Sequence, residues 1–319
     1  MRNKIILIGG PTASGKSRLA MDIAKAVEGA VVNADSMQVY RELRVLTARP
    51  SLQDEAEVPH YLYGVLPATE PCSAALWADM CHGAIREIWQ QNLIPVVVGG
   101  TGLYFKALLE GLAPVPQIPA ETRHAIRLML KEQGPEFLHE RLTQLDPDMA
   151  ARLNPGDSHR LTRALEVIEG TGRSLLTWQA EQPQGGLLET MNPEDILKFT
   201  LQPPREALYA RCDQRLKQMV EDLPALEELS ELLARGISRD LPLMKALGVP
   251  QLAAYLEGKL DLETALGEAQ AATRQYAKRQ LTWFRNQCGD WHILNTQYYD
   301  SYFDEIFSFI KPFMLTTKD

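Results

Sequence analysis

The sequence of 319 residues contains only four cysteines, and no two of them form a CxxC pair. We therefore expect free thiols in a reducing cytoplasm, and neither a disulfide framework nor a zinc site. The cysteines are Cys72, Cys81, Cys212 and Cys288.

Long apolar runs are also missing. No stretch is long and apolar enough to span a bilayer, so we expect no membrane partner. The short apolar run at residues 1–8 lacks the length and the cleavage site of a signal peptide. These absences, together with the free thiols, favour a cytoplasmic protein.

Positive charge is not in excess either. The formal net charge is -8, with 45% hydrophobic and 23% charged residues. Such a composition is typical of a globular chain with one large domain or two modest ones. The net charge gives no sign of a polyanionic partner, although nucleic-acid binding depends on local basic patches. No internal repeat is visible.

The first third of the sequence alternates short aliphatic runs with amphipathic segments. This pattern predicts a doubly wound parallel sheet of the α/β class. The predicted strands are residues 5–8, 30–33 and 94–98. The predicted helices are residues 16–28, 74–91 and 103–110.

The pattern changes near residue 112. Three prolines in residues 113–119 indicate a linker, and residues 120–172 are predicted helical, with breaks at 134–135 and 154–156. The alternation of predicted strands and helices then resumes, with strands at 197–201 and 291–294 and helices within 205–285. We therefore expect a core of residues 1–115 and 196–319, interrupted by a mainly helical insertion at 116–195.

The segment GPTASGKS at residues 10–17 fits the phosphate-loop pattern G-x-x-x-x-G-K-[ST] between a predicted strand and a predicted helix. Backbone amides and the helix N-terminus would bind phosphate oxygens, the Lys16 ammonium would add charge, and the Ser17 hydroxyl would ligate Mg²⁺. The motif indicates a diphosphate or triphosphate ligand but not its hydrolysis. The predicted phosphate-binding residues are Gly10, Thr12, Ala13, Ser14, Gly15, Lys16 and Ser17.

Two further segments follow predicted strands at the edge where open α/β sheets bind ligands. In NADSMQ, Asp35 is placed either to face the bound phosphate or to cap a following helix. Gln38 either pairs with an adenine edge or is a solvated surface residue. In GGTG, Thr101 carries a hydroxyl to the same edge, unless this is a tight turn with no ligand.

Three segments in this order, GPTASGKS, NADSMQVY and PVVVGGTGLY, resemble the bacterial tRNA dimethylallyltransferase (isopentenyl-tRNA transferase) family. The resemblance continues in DSHRLTRALEVIEGTG, KALGVPQLAAYLEG and TRQYAKRQLTWFR, and so spans nearly the whole chain. It implies a P-loop NTPase-like core, with dimethylallyl diphosphate as the donor. The implied acceptor is N6 of the adenosine directly 3′ of the anticodon in tRNA.

The resemblance also implies roles for particular residues. Asp35 is similar to the family's general base, and Arg215 to the arginine that binds the diphosphate. Thr101 and Lys16 complete the implied catalytic set. The implied tRNA contacts are Asp35, Ser36, Met37, Gln38, Thr101, Arg123, His159, Arg160, Leu161, Thr162, Arg163 and Lys245. The sequence departs from the family near Lys245, where Val249 and Pro250 replace an aromatic and a basic residue.

The chemistry of these residue types agrees with that reaction. An adenine amine becomes acidic only as it attacks the allylic carbon, and a carboxylate such as Asp35 can then accept its proton. Lys16, Arg215 and Mg²⁺ would stabilise the charge on the leaving diphosphate. The sequence lacks the DDxxD motif of many other prenyltransferases, so the phosphate loop must bind the diphosphate.

A local basic surface would offset the cost of extruding the acceptor base from the anticodon loop. At 100° per residue, Arg274, Lys278 and Arg285 share one helix face, and no acid occurs in residues 269–287. Arg160 and Arg163 form a second candidate. The alternative for both sets is a solvated helix face beside the core.

Three rival functions remain open from the residues alone. A small-molecule phosphotransferase would share the phosphate loop, but we find no arginine-rich lid segment. A prenyltransferase acting on free AMP would not need the helical insertion or the basic helix. A non-catalytic RNA-binding protein leaves the phosphate loop unexplained. We expect a monomeric tRNA dimethylallyltransferase.

Overall fold

A computed structural model describes residues 3–298 and 303–316. The chain divides into two compact units, unit 1 of Met1–Leu108 with Thr190–Asp319, and unit 2 of Leu109–Glu189. Unit 2 begins and ends somewhat earlier in the sequence than the expected insertion at 116–195.

The described strands all belong to two sheets. They are β1 (Ile5–Gly9), β2 (Gly29–Asn33), β3 (His60–Tyr61), β4 (Ile94–Gly99), β5 (Gly111–Leu112), β6 (Gln184–Gly185), β7 (Ile196–Leu201) and β8 (His292–Leu294). Six of them form one sheet in unit 1, in the order β3-β2-β4-β1-β7-β8, and every pairing is parallel. The predicted fold class, an α/β protein with a parallel sheet core, is therefore confirmed. β5 and β6 pair antiparallel in unit 2.

The helices alternate with these strands in unit 1 and dominate unit 2. They are α1 (Lys16–Ala26), α2 (Leu52–Glu57), α3 (Ala74–Gln90), α4 (Gly102–Glu110), α5 (Ala120–Leu145), α6 (Pro147–Ala150), α7 (Ser158–Thr171), α8 (Leu175–Gln179), α9 (Arg205–Glu221), α10 (Ala225–Ala234), α11 (Val249–Leu256), α12 (Leu262–Gln287) and α13 (Phe303–Leu315). The predicted helices of the first third and the helical content of residues 205–285 are confirmed. α2 and α13 were not predicted, although Ile306, Ile310 and Phe313 of α13 form a buried stripe with helical spacing.

The strands of the sheet centre are aliphatic because both faces of the sheet are covered. All five residues of β1 and all six of β4 are buried. No described helix combines the length and the apolar composition needed to cross a bilayer.

The strand register brings three segments to one edge of the sheet. Gly9 at the end of β1 lies opposite Gly99 at the end of β4 and Thr200 of β7. Asn33 at the end of β2 lies opposite Val98. The segments that follow β1, β2 and β4 therefore leave the sheet together at its carboxyl edge, where open α/β sheets bind ligands.

Unit 2 has its own apolar core between α5 and α7. α5 is kinked at Gly134, whose φ of 83° is left-handed, and Pro135 follows; the predicted break is confirmed. Leu138 and Leu142 of α5 pack in this core with Leu161. Because Leu161 is fully buried, its predicted contact with tRNA is wrong for the side chain.

Candidate active site

The loop after β1 has the backbone shape that presents amide groups to an anion. Ala13 and Gly15 have left-handed φ angles of 62° and 88°. α1 begins directly afterwards, with no side chain capping its first amides and no acidic residue in its first turn. Those amides remain available for phosphate oxygens. Gln297 Nε2 braces the loop from outside by donating to the Ala13 carbonyl at 2.8 Å.

Lys16 is the first residue of α1, and its side chain reaches back over this loop. Its Nζ donates to the Pro11 carbonyl at 3.1 Å. Burial, assisted by the nearby Arg215, lowers the pKa of Lys16 to about 8, and the Asp35 carboxylate opposes the shift. The ammonium thus interacts with two of the three other predicted catalytic groups, Asp35 and Arg215, in a setting where a bound polyanion would stabilise its charge.

The lowered pKa of Lys16 gives a testable pH dependence. We expect kcat/KM for the donor, which reports groups of the free enzyme, to fall as pH rises through about 8 because the ammonium becomes neutral there. kcat at saturating donor should fall less, since bound diphosphate retains the proton. Lys16→Arg should remove the fall, because a guanidinium stays protonated. A pH-independent kcat/KM across this range would contradict the assignment.

Asp35 is held in a turn that its neighbours define. Asn33 Oδ1 accepts the Asp35 N–H at 2.8 Å, and Asp35 Oδ1 accepts the Met37 N–H at 2.9 Å. Residues 36–39 form a turn and not a helix, so the alternative of a helix-capping aspartate is wrong. The negative charge of the carboxylate also raises the pKa of Lys16 and of Arg215, against the effect of burial.

The second glycine turn brings Thr101 beside Asp35. Thr101 Oγ1 accepts the Ser36 N–H at 3.0 Å, and the Thr101 N–H donates to the Ala34 carbonyl at 3.2 Å. A Cβ at Gly99 would lie 2.0 Å from the Ala34 carbonyl oxygen, so this close approach requires glycine. The turn therefore does more than connect a strand to a helix, because it fixes the Thr101 hydroxyl against the backbone of Ser36, the residue after Asp35.

Gln38 has neither of its two predicted roles, since its side chain is neither available to pair with an adenine edge nor free in solvent. Its Nε2 donates to the carbonyls of Thr47 and Ala48, at 2.7 and 3.1 Å. An amide whose two N–H groups are already engaged cannot also donate to an adenine ring nitrogen, so bidentate pairing is wrong for this arrangement. The side chain instead holds the turn of residues 36–39 against the loop that contains Thr47.

Arg215 reaches the phosphate loop from α9. Its Nη2 donates to Thr12 Oγ1. Burial lowers the pKa of Arg215, and Cys212 and Asp35 oppose that shift. A half-buried guanidinium in contact with a phosphate loop is suited to bind and stabilise a diphosphate.

Ser17 is suited to hold Mg²⁺ only together with a ligand. It is exposed at the second position of α1, and its hydroxyl forms no hydrogen bond with any residue that the structure describes. Among residues 3–298 and 303–316 no cluster of three His, Cys, Asp or Glu forms a protein cage for a metal. This fits Mg²⁺, which typically takes one or two protein oxygens together with phosphate oxygens and waters.

Gln280 of α12 is the residue of this site that sequence reasoning missed. It is 5% exposed and contacts both glycine-rich turns. Tyr276, one helical turn earlier, interacts with the Thr101 and Gln280 side chains. The available signal was an uncharged polar residue within the buried stripe of Thr273, Ala277 and Phe284.

The basic residues of unit 1 that were predicted to contact tRNA differ in whether their charge is available to a partner. Lys278 and Lys245 are exposed. Arg274 Nη1, in contrast, forms an ion pair with Asp213 Oδ1 at 2.6 Å, which joins α12 to α9. Its assignment to a free basic face is therefore wrong, because its charge is used within the fold.

The predicted contacts of unit 2 lie on α5 and α7. His159, Arg160 and Arg163 are exposed, and Thr162 and Arg123 are partly buried. Arg160 and Arg163 each lie near an acid, with Nε of Arg160 3.5 Å from Asp157 and Nη1 of Arg163 3.8 Å from Glu166. These acids reduce the positive potential that the two arginines present.

A basic cavity of about 380 Å³ lies in unit 1 between α9 and α12. Within the described parts of the chain, its cations Arg205, Lys278 and Arg285 have no carboxylate partner. No acid occurs among its described lining residues, which are Gln202, Pro203, Pro204, Arg205, Lys278, Leu281, Thr282, Arg285 and Asn295.

A phosphate-binding loop at the carboxyl edge of a parallel sheet defines a phosphate-loop protein of the α/β class. The family model described as IPP transferase matches residues 38–287, and that described as Isopentenyl transferase matches residues 3–62. The chain therefore belongs to the IPP transferase family, the family of the tRNA dimethylallyltransferases, as its motifs predicted.

Relatives of this family, named tRNA dimethylallyltransferase, match the chain over most of their length. A tRNA dimethylallyltransferase of Rhodospirillum centenum is 52% identical over 286 residues, which cover 89% of this chain and 88% of the relative. One of Rhodospirillum rubrum is 48% identical over 316 residues, which cover 98% and 95%.

Solved structures of the same family have the same fold. A tRNA isopentenylpyrophosphate transferase from Bacillus halodurans is 33% identical with a TM-score of 0.70, covering 98% of this chain and 97% of that one. A eukaryotic dimethylallyltransferase acting on tRNA is 28% identical with a TM-score of 0.75, covering 92% and 73%.

Proposed function

We propose that this chain transfers the dimethylallyl group of dimethylallyl diphosphate to N6 of the adenosine directly 3′ of the anticodon in tRNA, releasing diphosphate. The observation that supports this most is the position of Asp35, which follows β2 at the same carboxyl edge of the sheet as the phosphate loop and whose carboxylate favours the protonated forms of Lys16 and Arg215. A base and a leaving-group site are thereby adjacent. The four free thiols fit a cytoplasmic enzyme. The base Asp35 and the diphosphate-binding cations Lys16 and Arg215 belong to one chain, which fits a monomer.

On the acceptor side, Asp35 takes the proton of the attacking amine. As N6 attacks the allylic carbon, the carbon–oxygen bond to the diphosphate breaks and the nitrogen becomes positive. Its proton then passes to the free oxygen of Asp35, while the other oxygen keeps its bond with the Met37 N–H. Thr101, fixed beside this turn by the Ser36 N–H, orients the acceptor.

On the donor side, the loop binds the diphosphate and stabilises it as it leaves. Lys16, Arg215 and the first amides of α1 surround the position where its negative charge increases. Ser17 would hold Mg²⁺ against the diphosphate, and the ion would neutralise part of the charge of the leaving group.

For the tRNA we propose contacts on each unit. Lys278 and Arg285 of the basic cavity in unit 1 have no acidic partner among the described residues, and the cavity wall adds Arg205. In unit 2 the proposed contacts are Arg160 and Arg163, which are both exposed. Such contacts offset the few kcal/mol needed to extrude a base from its stack.

These basic residues predict how tRNA binding responds to salt. Removing one cation that binds a phosphate should reduce the slope of log K against log salt by about one. We expect Lys278→Ala with Arg285→Ala to flatten the slope more than Arg160→Ala with Arg163→Ala, because the second pair lies beside two acids. Filter binding across salt concentrations measures the slopes, with Arg239→Ala, an exposed residue paired to Glu257, as the control. Equal slopes for all variants would contradict the proposal that these two pairs of cations bind tRNA phosphates.

The proposed function is tested by incubating the protein with labelled dimethylallyl diphosphate, Mg²⁺ and unmodified tRNA, followed by digestion of the tRNA. We expect prenylated adenosine without ATP, and little product when free AMP replaces tRNA. A strict requirement for ATP, with ADP released in proportion to product, would show a phosphotransferase instead. Prenylation of AMP as fast as that of tRNA would assign a different acceptor.

A further inference from the structure

One side-chain amide connects the two glycine-rich turns at the carboxyl edge of the sheet. Gln280 Oε1 accepts the N–H of Thr12 at 2.8 Å, in the phosphate loop. Gln280 Nε2 donates to the carbonyl of Gly100 at 2.8 Å, in the turn that carries Thr101. Because the side chain is 5% exposed, neither bond competes with bulk water.

The second turn packs on α12 with little free space. A Cβ at Gly100 would lie 2.2 Å from Gln280 Nε2, and a Cβ at Gly102 would lie 2.3 Å from the Trp283 ring. Both turns are therefore positioned against one face of a helix and not only by their own strands.

The same helix is fixed to the element that carries the diphosphate-binding arginine. The ion pair of Arg274 with Asp213, at 2.6 Å, joins α12 to α9, and Arg215 lies on α9 two residues beyond Asp213. A shift of α12 would therefore move groups on both sides of the reaction.

Transfer between two bound substrates depends on the distance between the reacting atoms. The attacking nitrogen and the allylic carbon must approach to about 3–3.5 Å in line, and a misplacement of about 1 Å can cost about a hundredfold in rate. The phosphate loop fixes one substrate and the Asp35–Thr101 turn fixes the other. Beyond the pairing of β1 with β4, the Gln280 bridge links these two turns directly.

We propose that Gln280 is a positioning residue that sets the spacing between the bound prenyl diphosphate and the acceptor adenine; this inference rests on the proposed function. It touches neither reacting atom. Its contribution lies in holding the Thr12 N–H and the Gly100 carbonyl at a fixed separation, so its loss should affect the transfer step more than the binding of either substrate.

Gln280→Met, which has similar length but no hydrogen-bonding amide, tests the bridge. We expect the single-turnover rate per active site to fall about tenfold to a hundredfold, with the donor KM and the tRNA affinity nearly unchanged. Counting active sites by bound donor removes any contribution from unfolded protein. Gln287→Met, at the exposed end of the same helix, is the control and should retain full activity. A normal rate per site in Gln280→Met would overturn the inference.

Gln280→Glu provides a readout that a purely structural role would not move. The ionised carboxylate can accept the Thr12 N–H but cannot donate to the Gly100 carbonyl, whereas the protonated acid can do both. The variant's rate relative to wild type should therefore rise as pH is lowered from about 8 to about 6, since burial raises the pKa of a carboxyl group. A ratio independent of pH would contradict the bridge.

Failure of the reaction and failure of the bridge give different results. Wild-type protein that does not prenylate tRNA would refute the proposed function. Active wild type with an unaffected Gln280→Met variant would refute only the bridge.

Discussion

Asp35→Asn should reduce kcat at least about a hundredfold, the usual contribution of a general base. The amide keeps an oxygen that accepts the Met37 N–H, so the turn survives while the proton acceptor is removed. Binding of the prenyl diphosphate should change little, because the carboxylate does not belong to the loop that holds it. Rapid-quench measurement of prenylated tRNA separates the rate of transfer from binding.

The control for Asp35 is Asp240→Asn, which makes the same chemical change in an exposed loop and should leave kcat unchanged. If Asp35→Asn transferred the prenyl group at the wild-type rate, another group would have to accept the N6 proton.

Loss of Arg215 should reduce kcat/KM for the donor by about a hundredfold or more, the usual cost of removing one preorganised donor to developing negative charge. Arg215→Ala removes a half-buried cation that contacts Thr12 Oγ1, and Lys16→Ala removes the second cation. Affinity for tRNA should be largely intact in both variants. Steady-state kinetics with varied donor, together with tRNA binding in its absence, distinguishes the two effects.

Lys217→Ala is the matched control for Arg215, because Lys217 lies on the same helix but is exposed and pairs with Glu221 at 3.7 Å. It should behave as wild type. If Arg215→Ala bound tRNA weakly but used the donor normally, Arg215 would belong to the surface that binds tRNA and not to the diphosphate site.

Much of the site was predictable because it depends on short segments that follow buried strands. The phosphate loop, Asp35 and Thr101 each come directly after an aliphatic run, and parallel strands bring such segments to one edge. The position of each segment directly after a strand therefore predicted that these residues lie at one edge of the sheet, even before the pairing of the strands was known.

The wrong predictions mostly concern partners that are distant in sequence. Gln38 is engaged by two loop carbonyls, and Arg274 by an aspartate on another helix, which no periodicity reveals. Gln280 lies within the segment predicted to be a basic surface, and the charged residues around it concealed its burial. Leu161 is different: successive helix residues point in different directions, and its place in the apolar stripe with Leu165 already indicated burial.

The interruption of the sheet by unit 2 also sets the order in which the ribosome makes the strands of the sheet. β1 pairs with β4 on one side and with β7 on the other, and the ribosome makes β7 only after all of unit 2. Unit 2 is contiguous and has its own core, so it can fold on the nascent chain. The phosphate loop lacks its braces until Gln280 and Gln297 have emerged. Both contacts of the phosphate loop are therefore made only after the whole of unit 2 and all of α12 have been synthesised.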